Sequence, residues 1–363
     1  VSTFKVTIER LTVTPHPNAD RLELAQVGLY RAVVPKGEYE TGDCAIYIPE
    51  AAILPDDLIE ELGLTGKLAG KEKNRVKAVR LRGELSQGIV CRPAKVPDWE
   101  YDPIELMVIS GIDFAPELGI TKWVPEIPTH MSGKVIPAPD LIRWVDIENL
   151  KRYPDIFSPG EMITASEKVH DSACLTTYHV DSDTLYVTSK GYGEKNLALE
   201  EDGANIYWRA VEKFELKKNL QLMAVGLDAV SVAIFGGVYG QGVQDLHYGK
   251  SARHNDTLGY VAFDVAWVSR VTGKTWMNPT DFAQVMTGFH IPTAPILYEG
   301  PFDLEKLTKV ASGPTVLGNG VHIREGIVIR PQEEGHSDIL GGRKIAKLVS
   351  DEYVLRKDGT EFE

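Results

Sequence analysis

No run of about 18 consecutive apolar residues occurs in the 363-residue chain, so no segment reads as a membrane span. The opening "VSTFKVTIERL" alternates polar with apolar residues and lacks the apolar stretch of a secretion signal. Cysteine is scarce. Cys44, Cys91 and Cys174 lie too far apart for a zinc-binding spacing and suggest no disulfide framework, so buried, reduced thiols in a cytoplasmic protein are expected. Positive charge is also short: the net charge of −13 argues against broad, non-specific affinity for nucleic acid. No GxGxxG opens a helix after a strand, and Gly191 and Gly193 stand outside any such pattern, which excludes a dinucleotide-binding fingerprint. There is no internal repeat and no low-complexity tract. With 43% hydrophobic and 25% charged residues, the chain has the make-up of a soluble protein with room for about two domains.

Residues 1–95 read as short strands: "FKVTIERLTVTPH", "LELAQVGLYRAVVPK", "DCAIYIP" and "RVKAVRLRG…SQGIVCRP" show period-two stretches bounded by Gly, Pro and Asp. A single short helix is expected at "DDLIEELGL". Five or so strands with one helix suggest a small OB-like β-barrel. The stretch "HPNADRLELAQV" also resembles the opening of tRNA-binding OB domains. Residues 96–140 carry seven prolines and read as a linker with one weak element at "LMVISG". Residues 141–363 alternate helices and strands, and an α+β domain with antiparallel sheets is expected. One local exception to the acidic balance stands out. "GKLAGKEKNRVKAVRLRG", residues 66–83, sets Lys67, Lys71, Lys73, Arg75, Lys77, Arg80 and Arg82 against Glu72 alone. It is either a solvated loop and strand face or a surface for the phosphates of a nucleic-acid duplex.

In the second part, charged residues interrupt apolar strands: Lys168 in "EKVHDS", Lys190 in "VTSKG", Asp264 after Phe263 in "YVAFDVAW", Glu325 in "REGIVIRP", and Lys344 and Lys347 in "RKIAKLVS". A single such residue usually faces solvent or a partner. Unpaired charge in a core is costly, so several from separate strands make most sense if they converge on a polyanion and its metal ions.

The order K-x-H, S-K, F-G, F-D, E-G-I-V-I and K-x-x-K resembles motifs I, Ia, III, IIIa, IV and V of the covalent nucleotidyltransferase superfamily. Within it the pattern is similar to ATP-dependent, nick-sealing RNA ligases that carry an OB module before the catalytic domain. Only about 16 residues follow Lys347, too few for the further OB domain of DNA ligases and capping enzymes.

The resemblance implies that a lysine attacks the α-phosphate of ATP, keeps AMP, passes it to a 5′-phosphate, and lets a 3′-OH displace it. Such a nucleophile must be a neutral amine, which burial and neighbouring cations favour. Lys168 is the implied nucleophile. Lys344 and Lys347 are implied to neutralise the α-phosphate, and Lys190 to hold a phosphate. Phe263 would stack on adenine, and Glu167 would line the adenine pocket. His170 would orient AMP or the attacking strand. Glu325 and Asp264 would hold Mg²⁺ or Mn²⁺. The implied partner is a nicked duplex or broken RNA, RNA/DNA hybrids included, in RNA repair, with no membrane and no obligate protein partner evident.

Two positions depart from the pattern. Asp171 stands where the family usually has Gly, and Gly237 stands in the nucleotide pocket where it usually has a ribose-contacting Glu. They leave the nucleophile in place and leave open whether activity is weakened or the site has re-formed around them. They motivate the alternative of a catalytically degenerate ligase that still binds nucleotide and nucleic acid. Lys344 and Lys347 are also spaced more loosely than the usual K-x-K.

Overall fold

The structure is a computed structural model that describes residues 4–96, 99, 109, 111–124 and 131–356. Contacts divide the chain into two compact units: Ser2–Val124 with Glu148–Pro154, and Pro125–Ile147 with Asp155–Glu363.

In the first unit, strands Thr7–Arg10, Cys44–Ile48 and Ile89–Cys91 form one antiparallel sheet, and Thr12–Pro15, Leu22–Val27 and Tyr30–Pro35 form another. Among the described residues these sheets do not close into one hydrogen-bonded ring. The strand Cys44–Ile48 is buried at every position, which is why "CAIYI" is apolar throughout and does not alternate. Ile46 and Ile48 enter one core with Ile8 and Leu58; Ala45 and Tyr47 enter another with Ala25 and Val34. The expected helix forms over Asp56–Glu61 with two acids in its first turn, where they favour the helix dipole.

The proline-rich stretch holds more structure than a linker reading implies. Ala115, Leu118 and Ile120 are buried in the core of the first unit. Asp113 accepts from the Val6 amide, and Thr121–Lys122 pairs with Ala52–Ile53. Ala138 and Leu141 are buried in the second unit. Most of "LMVISG" lies outside the described residues.

The second unit holds two antiparallel sheets. One runs in the order Thr184–Thr188, Ser172–His179, Ser231–Tyr239, Gly259–Ser269, Gly273–Trp276. The other includes Ala346–Val349, Gly326–Pro331, Met162–Lys168 and Ile296–Pro301 as successive neighbours. The sequence "NIYWRAVEKFELKKNLQLMA" reads as one helix but forms two, Ile206–Lys213 and Leu216–Gly226, because Glu215 adopts a left-handed conformation (φ 49°) between them. Ile206, Ala210 and Val211 are buried as the helical face predicts, and Phe214 packs at its edge. "KIAKLVSDEYVLRK" reads as one strand. It stops at Val349, because the Ser350 hydroxyl accepts from the Tyr353 amide and starts the helix Asp351–Val354. No helix among the described residues is long and apolar enough to cross a membrane, and all three cysteines are buried and unpaired.

Candidate active site

A cavity of about 250 Å³ in the second unit is lined by both sheets, by the helix Pro279–Gly288, and by Trp144, Asp146 and Ile147. Strand register explains how its charged end is assembled. Lys168, the last residue of its strand, pairs with Gly326, so the preceding Glu325 meets it: Lys168 Nζ donates to Glu325 Oε1 at 2.6 Å. A Cβ on Gly326 would lie 2.1 Å from the Leu348 carbonyl oxygen. Only glycine lets that strand lie so close to Ala346–Val349, which brings in Lys347 opposite Val328.

Lys168, Lys190 and Lys347 all line the cavity. Burial above all, with the charges of Lys168 and Lys190, pushes the Lys347 ammonium down to about 8. Lys190 opens the short helix Lys190–Glu194 and pairs with Asp146 at 2.6 Å. Burial raises the pKa of Glu325, but the charges of Lys168 and His170 and the hydrogen bond from Lys168 overcome it and hold the carboxyl at about 2.

The apolar end is set by a β-bulge. Phe235 pairs with Asp264 and Gly236 with Ala262, leaving Phe263 as the extra residue. Phe263 and Asp264 therefore both face the cavity. Trp144 meets Phe263 edge-on at 5.1 Å and Phe235 at 4.8 Å. Glu167 also lines the cavity. Its Oε2 accepts from the amides of Val316 and Leu317, while Oε1 is buried without a hydrogen-bond partner. Burial raises its pKa.

Three predicted site residues sit otherwise than the sequence implies. His170 has both ring nitrogens engaged: Nε2 with Asp245 and Nδ1 with the Tyr353 hydroxyl, each at 2.8 Å. Its Nδ1 also lies 3.6 Å from Glu325 Oε2, and it is not among the cavity's lining residues. Burial would lower its pKa, but the hydrogen bond to Asp245 and the nearby charge of Glu325 outweigh that and raise it. Lys344 pairs with Glu161 at 2.8 Å, and Ile345, between the two lysines, takes the place on the cavity wall. Asp264 has both oxygens held by arginines, Arg330 at 3.2 Å and Arg343 at 2.5 Å, in a buried cluster that Glu334 completes.

Among the described residues no group of three or more His, Cys, Asp or Glu is arranged to hold a metal ion. Glu325 Oε2, buried and without a hydrogen-bond donor, fits as a single carboxylate ligand, which suffices for magnesium when phosphate oxygens and water supply the rest. Asp264, bound to two guanidinium groups, does not fit.

Sequence reasoning missed Trp144, Asp146, Asp245, Arg330 and Arg343. For Arg330 the signal was present: it is a charge near the end of the apolar strand segment "GIVIRP".

A family model described as RNA ligase matches residues 161–349, more than half of the chain. The chain belongs to the RNA ligase family. An OB-fold domain model matches residues 5–93 of the same ligase chain. A search of curated proteins found no match. Solved structures of an RNA ligase from Naegleria gruberi share the fold. A variant without ligand has a TM-score of 0.78 at 23% identity, covering 96% of each chain. A variant with ATP and Mn has 0.77 at 24% identity, over 96% of this chain and 98% of that one. A variant with AMP and Mn has 0.77 at 23%, over 96% and 97%.

The basic run falls inside the OB-fold match. Lys67, Lys71, Lys73, Lys77 and Arg80 are exposed, whereas Arg75 is half-buried with its guanidinium 4.0 Å from the centre of the Trp123 ring. Lys67 donates to the Gly63 carbonyl at 2.7 Å.

Proposed function

We propose that this RNA ligase uses ATP and joins a 3′-OH to a 5′-phosphate through an AMP carried on Lys168. The observation that supports this most is one juxtaposition: Lys168 on the cavity wall, its Nζ fixed by Glu325, with Lys347 and Lys190 lining the same end. In the first step the neutral Nζ attacks the α-phosphorus of ATP. A phosphorus–nitrogen bond forms, the bond to the bridging oxygen breaks, and pyrophosphate leaves. In the second, an oxygen of the RNA 5′-phosphate displaces the lysine; in the third, the 3′-OH displaces AMP.

Glu325 orients Nζ and is a poor acceptor for its proton, since a carboxyl held near 2 does not retain one at neutral pH. Lys347 and Lys190 offset the charge that builds on the phosphates. Phe263 offers a face for adenine, and the unpartnered Glu167 Oε1 is an acceptor for its amino group. Glu325 would hold the Mg²⁺ or Mn²⁺ ion, which supplies positive charge to the phosphate oxygens. The N. gruberi ligase has been solved with ATP and Mn, and with AMP and Mn, in the same fold. The test is incubation with ATP labelled at either phosphate: label at the α position should remain on denatured protein and label at the γ position should not. Retention of both, or of neither, contradicts the scheme.

Lys347 makes ATP binding pH-dependent. A lysine is charged below its pKa, so this cation is lost as pH rises through about 8. ATP affinity of the unadenylylated protein should weaken from there upward. Lys347→Arg, charged throughout, should flatten the curve, and an unchanged profile would remove Lys347 from the phosphate site.

We assign the exposed basic run to the phosphates of the RNA duplex beside the break, the setting of RNA repair. Lys71, Lys73 and Lys77 changed to Glu should weaken nicked-RNA binding by about tenfold or more and flatten its salt dependence, while adenylylation without RNA persists. Arg75 is left in place because of its stacking on Trp123. Equal loss of both activities would count against a binding role.

A further inference from the structure

Asp171 and Gly237 read in sequence as two separate departures from the ligase pattern. The geometry makes them one. A Cβ built on Gly237 would lie 2.1 Å from the Asp171 Cγ and 2.2 Å from its Oδ2. The Asp171 carboxyl group thus occupies the space that any side chain at position 237 would enter. A side chain at 237 excludes this placement of the Asp171 carboxyl group, and glycine at 237 makes room for it.

Strand register locates that space along the cavity. Ala173, Gly237 and Val261 are cross-strand partners, so they share one face of the sheet. Ala173 and Val261 line the cavity on that face, and so does Asp171. One row further along lies Phe235 with the bulged Phe263, the aromatic end. In the other direction lies Lys168, three residues before Asp171, with Lys347 and Lys190 on the same cavity. Along this chain segment the carboxyl group therefore stands between the aromatic row and Lys168. In a nucleotide, the ribose joins the base to the phosphates. Gln244 donates to the Asp171 backbone carbonyl, but among the described residues no side chain donates to its carboxyl group, and carboxylates accept well from sugar hydroxyls.

We propose that Asp171 is the ribose-recognising residue of this ligase, accepting a hydrogen bond from a ribose hydroxyl of ATP across the empty position 237. It rests on the nucleotide-binding reading of this cavity given above. It makes the departures an exchange of one carboxylate for another, carried by the connection just before the strand Ser172–His179, in place of damage.

The experiment compares ATP with 2′-deoxy-ATP and 3′-deoxy-ATP, reading both equilibrium binding by tryptophan fluorescence and the rate of adenylylation. Burial pushes the Asp171 carboxyl up to about 7; above about pH 8, where it is ionised, the wild-type protein should prefer ATP over at least one analogue by about 10- to 100-fold, the value of a hydrogen bond to a charged acceptor. Asp171→Ala should bring that ratio to about 1 by weakening ATP and sparing the analogue. Gly237→Glu alone should lose ATP binding, and Asp171→Gly with Gly237→Glu should regain both binding and preference. If the alanine variant melts early, Asp171→Asn, which keeps the volume beside Gly237, should still cut the preference by about 2- to 10-fold. An unchanged ratio in Asp171→Ala, a Gly237→Glu protein that behaves as wild type, or rescue of Asp171→Ala by excess Mn²⁺ with the ratio intact would each overturn the assignment. A wild-type protein that shows the preference in binding but never takes up AMP sinks the ligase chemistry and leaves the ribose contact standing. One that takes up AMP without distinguishing the sugars does the reverse, and one that binds no nucleotide overturns both.

Discussion

Lys168→Ala is expected to leave no AMP on the protein, a loss of at least about 10³-fold in adenylylation, because no other group takes over a missing nucleophile. The same change removes a hydrogen-bonded ion pair. Glu325 is buried and loses the donor 2.6 Å away, which costs about 1–3 kcal/mol of stability. That cost has a pH signature. Glu325 has a folded pKa of about 2, below the ordinary carboxyl value, so its pairing contributes stability that is present above about pH 4 and disappears as pH falls through about 2. Wild type and Lys168→Ala should therefore differ in stability at neutral pH and converge in acid. Lys168→Arg separates the two effects. A guanidinium can pair with Glu325 but stays protonated and cannot attack phosphorus. It should keep most of the stability and form no adduct. An adduct on either variant would move the nucleophile elsewhere.

Asp264→Ala should cost about 3–5 kcal/mol of folding stability, the penalty for stranding buried charge. The Asp264 side chain is fully buried, and its removal leaves Arg330 and Arg343 sharing Glu334. Arg330 also donates to the Met277 carbonyl oxygen, and Arg343 lies 3.9 Å from the centre of the Trp276 ring, so neither guanidinium can swing out to water without breaking other contacts. Asp264→Asn, which keeps shape and loses charge, should cost less. Chemical denaturation measures both. The opposing expectation, that Asp264 is a metal ligand, predicts near-native stability for Asp264→Asn together with a raised requirement for Mn²⁺. That pattern would return Asp264 to the metal.

The charged strand positions were legible because apolar strands rarely carry unpaired charge, and Lys168, Lys190, Glu325 and Lys347 do line or border one cavity. What the linear pattern could not convey was which charges neutralise one another. Asp264 reads like Glu325 in sequence, yet the bulge beside Phe263 turns it toward Arg330 and Arg343. His170 reads as a site residue from its spacing, but its partners Asp245 and Tyr353 lie far along the chain and lock both its nitrogens. The relation of Asp171 to Gly237 is likewise a matter of cross-strand register, because 66 residues separate them in sequence and one side chain's width separates them in space. Fold class was readable from periodicity. The breaks at Glu215 and Ser350 were not, since each depends on a single backbone or capping conformation inside a favourable run.

AMP carried on this protein is expected to be an intermediate and not a trapped by-product. A pulse and chase tests it directly. Wild-type protein is loaded with α-labelled ATP, freed of nucleotide, and given a nicked RNA duplex with a 5′-phosphate and a 3′-OH. Label should leave the protein, pass through the RNA 5′ end, and end as free AMP in step with formation of the joined strand. Label that stays on the protein, or a strand that joins without drawing on it, would contradict the account.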